Sequence, residues 1–144
     1  MEATIRLRNI LDSAPVRWLL ALGWTLWLSI ILIQPEAQPV IDLGLRPAPF
    51  SLEREIAFTI AHIVAFMLTT TLWSWAFVFT LPPGRALQIA IAVALLVGVF
   101  TETMQTFAPD RYPSLVDYLA NVVGVLIATL ALRRHPAFRS ELSS

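Results

Sequence analysis

Four apolar runs, over about 16–33, 56–81, 86–107 and 115–132, are separated by short polar stretches and make up most of this chain. Each approaches or exceeds the roughly 20 residues that a helix needs to cross about 30 Å of hydrocarbon. The pattern predicts an all-α fold, an integral membrane bundle of four transmembrane helices forming one domain over 1–144. Residues 1–15 are polar, carry Arg6 and Arg8 and end in Ser13, Ala14 and Pro15, which leaves open a short amphipathic helix on the membrane surface. Basic residues ahead of an apolar run also begin a secretory signal, but no small-x-small cleavage site follows Ile33, so the first run reads as an uncleaved span. The connection 34–55 holds Pro35, Pro39, Pro47 and Pro49, each of which removes a backbone donor and opposes helix. It reads as a long loop. The second span can tilt or emerge from the bilayer at one end. Pro82, Pro83 and Gly84 stop it and predict a tight turn at Arg85. Residues 108–113 form a turn bounded by prolines, and Ser114 stands where the N-cap of the fourth span belongs.

Composition narrows the class. The chain is 57% hydrophobic and 14% charged, which leaves no room for a second, soluble domain. Ten cations balance ten acids, so charge gives no basis for a nucleic-acid partner. Every cation is Arg, whose planar guanidinium forks onto carboxylate or phosphate. With no Cys, disulfides, thiolate metal sites and Cys nucleophiles are excluded. Seven of the ten Arg fall on the side that would hold both termini: Arg6, Arg8, Arg17, Arg85, Arg133, Arg134 and Arg139. By the positive-inside rule both termini are expected in the cytoplasm. The expected location is the cell inner (cytoplasmic) membrane, multi-pass, with the bilayer as the first partner.

The densest polar set lies in 101–124, where Glu102, Gln105, Asp110, Arg111, Ser114, Asp117 and Asn121 interrupt an apolar context. Glu102 and Gln105 are three apart and share a helix face. Asp117, Asn121 and Gly124 share another. By helical rise, Glu102 lies roughly 7 Å from the end of its span, Asp117 roughly 5 Å and Asn121 roughly 10 Å into theirs, and His62 roughly 9 Å into the second span. A carboxylate at the centre of a membrane helix costs on the order of 3 kcal/mol. Glu102, Asp117 and His62 are therefore expected to face inward and satisfy one another, with Arg111 reaching back from the turn. Plainer roles stand beside this one. Ser114 and Asp117 fit a capping box, Asn121 and Gly124 fit helix packing, and His62 fits an interhelical hydrogen bond. Arg111 fits a loop charge paired with Asp110 or Glu102. Trp18, Trp73 and Trp75 read as span packing or interface anchoring. His62, Glu102 and Asp117 include suitable metal-ligand types, but the spacing of a metal motif is missing, and no metal or cofactor is expected.

The order Glu102-x-x-Gln105, Pro109-x-Arg111, Ser114-x-x-Asp117-x-x-x-Asn121-x-x-Gly124 resembles the signature of the VanZ-like family of small integral membrane proteins, and His62 is similar to that family's earlier His. Around His62 the chain departs from the family pattern. Phe58 and Thr59 stand where an Asp-Lys pair is common, and Phe66 stands in place of a Tyr. The resemblance implies a compact helical membrane domain with an extracytoplasmic polar site, and it supplies no reaction.

Three functions follow from these residues. The first is binding of an anionic lipid or lipid-linked envelope precursor, with Arg111 on phosphate or carboxylate and His62, Glu102, Gln105, Ser114, Asp117 and Asn121 completing the pocket. The second is an accessory subunit of a larger membrane protein complex, in which the cluster only ties helices together. The third is an enzyme acting on lipid headgroups with Glu102 or His62 as general base, for which no nucleophile motif is present.

Overall fold

The computed structural model describes residues 13–35, 52–109 and 113–136. The described residues form four helices and no strand: α1 (Ala14–Ile33), α2 (Leu52–Phe77), α3 (Pro83–Gln105) and α4 (Leu115–Arg134). All four are long and apolar enough to cross a membrane. The suggested surface helix before Ser13, the loop core 36–51 and the tip of the turn at 110–112 lie outside the described residues.

The helix bounds depart from the apolar runs where polar residues are compatible with helix. The second helix starts at Leu52 rather than near residue 56, so 52–55, expected in the loop, is helical. Glu53 and Glu55 occupy its first turn, where acids complement the positive end of the helix dipole, and the Arg54 guanidinium lies 5.1 Å from the Phe58 ring one turn on. The same helix stops at Phe77, and 78–81 is a turn closed by Leu81 N–H on the Phe77 carbonyl at 2.9 Å. The tight turn expected at Arg85 is instead the first turn of α3, with Pro82 at the N-cap and Pro83 opening the helix. Proline costs nothing there, because the first N–H groups have no intrahelical acceptor.

Polar contacts between helices fix their register. Arg17 donates to the Trp75 carbonyl at 3.2 Å, Trp24 Nε1 to Thr69 Oγ1 at 2.9 Å and Trp73 Nε1 to Thr25 Oγ1 at 2.9 Å, which sets α1 antiparallel to α2. Trp18, Trp73 and Phe77 close the same seam edge to face and stacked. Helix α2 packs against all three others, whereas α1 and α4 lie apart. The result is an up-down-up-down arrangement. One end carries the C-termini of α1 and α3 with the N-termini of α2 and α4, and the other carries Ala14, Phe77, Pro83 and Arg134.

Burial is inverted relative to a soluble bundle. The buried apolar residues are mostly alanine, Ala21, Ala76, Ala86, Ala90, Ala94, Ala120 and Ala128 among them, while Leu19, Leu26, Ile60, Val64, Leu96, Leu126 and Leu130 stand exposed on the outer faces. Lipid tails are as apolar as leucine, so membrane helices gain by close contact between small residues instead. Gly124 carries this furthest. A Cβ there would overlap the carbonyl oxygen of Ile63 and lie 3.1 Å from Phe66 Cβ, so α4 meets the α2 backbone directly.

Candidate functional site

The buried polar side chains divide into two kinds. Thr69, Thr70 and Thr129 return their hydroxyls to carbonyls four residues back in their own helices, at 2.7 to 2.9 Å, and Thr69 also accepts Trp24 Nε1 from α1. His62, Glu102, Gln105 and Asn121 are buried as well, but they bond between helices, and all lie toward the end of the bundle where α3 stops and α4 starts. Each contact follows from where a helix ends or approaches another.

In its last turn, α3 supplies Glu102 and Gln105. Gln105 Nε2 donates to the Leu32 carbonyl at 3.0 Å, one of the last α1 carbonyls, which have no intrahelical donor. Glu102 Oε2 accepts the backbone N–H of Ser114 at 3.1 Å. Ser114 Oγ in turn accepts the Asp117 N–H at 3.3 Å. Half of the capping box that the sequence suggests is therefore made. The other half is replaced, because the acid that takes the N-cap N–H comes from α3 and not from the third helical position of α4. Asp117 is left half-buried, and its carboxylate makes no hydrogen bond or ion pair among the described residues.

One turn deeper, His62 Nδ1 and Asn121 Oδ1 lie 2.8 Å apart. Asn121 is 1% exposed, and its Nδ2 is enclosed with no hydrogen-bond partner among the described residues. The amide sits beside Gly98, where a Cβ would stand 3.4 Å from Nδ2 and 3.2 Å from Phe66 Cε1. The rim of Phe66 thus fills the space between Gly98 and Gly124.

These contacts correct one expectation. Glu102 and His62 do face inward, but His62, Glu102 and Asp117 do not satisfy one another: His62 bonds to Asn121 and Glu102 bonds to Ser114. The close α2–α4 approach at Gly124 brings Asn121 to the imidazole, and Asp117, one turn nearer the helix start, lies at a half-exposed edge. Among the described residues no three His, Asp or Glu side chains gather closely enough to hold a metal ion. Arg111 and Asp110 lie outside the described residues. Two positions on which the cluster rests were not singled out from sequence, the Leu32 carbonyl and Gly98, and the sequence marks Phe66 only as standing in place of a Tyr. Of the two, Gly98 carries a sequence signal, a lone glycine inside an apolar helix, which points to close packing.

Chemically the cluster offers an imidazole, the Asp117 carboxylate, which has no partner among the described residues, and the N-terminus of α4, all at one end of a membrane bundle. The family model described as VanZ/LLP1 matches residues 24–136, a span that takes in every one of these groups. No curated protein and no solved structure matches the chain.

Proposed function

This chain belongs to the VanZ/LLP1 family, and from that premise we propose that it binds the polar headgroup of an anionic lipid or lipid-linked envelope component at the end of the bundle where α3 stops and α4 starts. The observation that carries this reading is that the buried polar side chains other than hydroxyls, His62, Glu102, Gln105 and Asn121, all gather at that end and bond between helices, whereas the interhelical contacts along the α1–α2 seam are made by Arg17, Trp24 and Trp73 on a carbonyl and two threonine hydroxyls. Arg111, three residues ahead of Ser114 in sequence, is the cation assigned to the acidic part of the headgroup, where a guanidinium binds two oxygens at once. The Arg distribution supports an extracytoplasmic position for this end, with the termini in the cytoplasm and the chain in the inner membrane.

Native mass spectrometry of the purified protein tests the proposal. Phosphatidylglycerol is expected to be retained in preference to phosphatidylcholine, with retention lost in Arg111→Leu and weakened in Arg111→Lys. Equal retention of both lipids by all three proteins would sink it.

The alternative is an accessory subunit of a larger membrane complex. It is favoured by the fact that Glu102, Gln105 and His62 each find a partner on another helix, as structural ties would. In that case mild detergent extraction and blue-native electrophoresis give a band well above the monomer, and Glu102→Gln disperses that band without changing lipid retention.

A further inference from the structure

The His62–Asn121 contact carries more information than its length. An amide oxygen only accepts, so the 2.8 Å contact from His62 Nδ1 to Asn121 Oδ1 is a hydrogen bond when Nδ1 bears the hydrogen. A neutral imidazole has one N–H, and the nitrogen opposite is then a lone-pair acceptor. His62 makes no other hydrogen bond among the described residues, and Nε2 is not among their enclosed, unpartnered side-chain atoms. The surroundings hold this arrangement in place. Asn121 is packed into the seam of α2, α3 and α4 beside Gly98, and Gly124 sets the α2–α4 spacing that brings the amide to the ring.

We infer that Asn121 is a positioning residue that fixes His62 as the Nδ1–H tautomer, and that His62 Nε2 is the atom that accepts a hydrogen from the bound headgroup. This rests on the headgroup-binding reading and deepens it by naming the ligand class. The accepting group at Nε2 and the Asp117 carboxylate, which has no hydrogen-bond partner among the described residues, both call for hydrogen on the ligand. The headgroup therefore carries a hydroxyl or an N–H-bearing ammonium. A fully methylated ammonium or a bare phosphodiester cap leaves Nε2 without a partner.

The test uses the full chain labelled with ¹⁵N-histidine in nanodiscs. Only His62 and His135 contribute signals, and His135→Gln assigns them. In phosphatidylcholine discs His62 is expected to show a pyrrole-type Nδ1 and a pyridine-type Nε2, with the preference redistributed in Asn121→Leu. A pyridine-type Nδ1 in the unsubstituted protein, as a reversed Asn121 amide would give, overturns the inference without any variant being needed. Matched lipids then test the ligand class: phosphatidylglycerol against phosphatidylmethanol at equal charge, and phosphatidylethanolamine against phosphatidylcholine. The Nε2 resonance is expected to move with phosphatidylglycerol and phosphatidylethanolamine only. An Nε2 resonance identical in all four discs overturns the hydrogen-accepting role. If the tautomer is as stated but mass spectrometry retains no lipid, the headgroup reading fails while the positioning by Asn121 stands.

Discussion

Glu102 is the side chain whose chemistry departs most from what its position in the sequence suggests. Its carboxylate is buried and takes the Ser114 N–H at 3.1 Å, closing the N-terminus of a neighbouring helix. A hydrogen bond to a charged group contributes about 1.5–3 kcal/mol, so Glu102→Leu should lower stability by about that amount and Glu102→Gln, which keeps an accepting oxygen, by less. Asp117→Ala should cost no more than about 1 kcal/mol, the size of a dipole interaction in the first helical turn, because its carboxylate has no hydrogen-bond partner among the described residues. Thermal unfolding in one detergent checks the order. A capping box read from the sequence predicts the reverse, with Asp117 the costlier loss. The residue types of the cluster were thus legible, since polar groups in apolar helices must face inward, and their pairing was not. Pairing depends on which helices approach at which depth, as when Gly124 brings Asn121 to His62 and leaves Asp117 at the edge.

At the scale of the helices, three glycines that look alike in sequence stand in different environments. A methyl at Gly23 meets nothing within 4 Å, at Gly98 it presses on Phe66 Cε1 at 3.2 Å, and at Gly124 it overlaps the Ile63 carbonyl oxygen. Gly23→Ala should be neutral or stabilising by about 0.5–1 kcal/mol, the ordinary cost of a helical glycine. Gly98→Ala should be mildly destabilising, since a ring edge can shift by a few tenths of an ångström. Gly124→Ala forces backbone apart and should cost about 1–3 kcal/mol or more, with the His62 ¹⁵N signals perturbed as the α2–α4 seam opens. Equal melting temperatures for Gly98→Ala and Gly124→Ala would count against direct backbone contact there. The existence and order of the four helices were legible from apolar run lengths alone. Their ends were not. A run of apolar residues ends at the first charge, whereas the helix continues while its dipole and first-turn geometry favour it, as Glu53, Glu55 and Pro83 show.

For the whole molecule the open quantity is direction across the membrane. The two ends of the bundle differ in chemistry. One gathers His62, Glu102, Gln105 and Asn121, and the other joins Arg17 to Trp75 and Phe79, at 4.7 and 5.8 Å from the ring centroids, and carries Arg133 and Arg134 in the last turn of α4. Aromatics line both interfaces, but an excess of Arg marks the cytoplasmic one, and seven of the ten Arg fall on the side of the termini, so the polar cluster should face outward. The absence of Cys from the chain allows a direct measurement. Phe107→Cys places a thiol at an exposed position just beyond α3, beside the cluster, and His135→Cys places one just beyond α4 at the opposite end. In intact spheroplasts a membrane-impermeant maleimide should label Phe107→Cys at once and His135→Cys only after permeabilisation. The reverse pattern would place the cluster at the cytoplasmic surface, where an outer-leaflet or lipid-linked envelope headgroup does not reach it, and the proposed ligand class would fall with it. Labelling of both before permeabilisation would mean that α4 does not cross the bilayer, against the antiparallel packing of α3 and α4 set by Glu102 on Ser114.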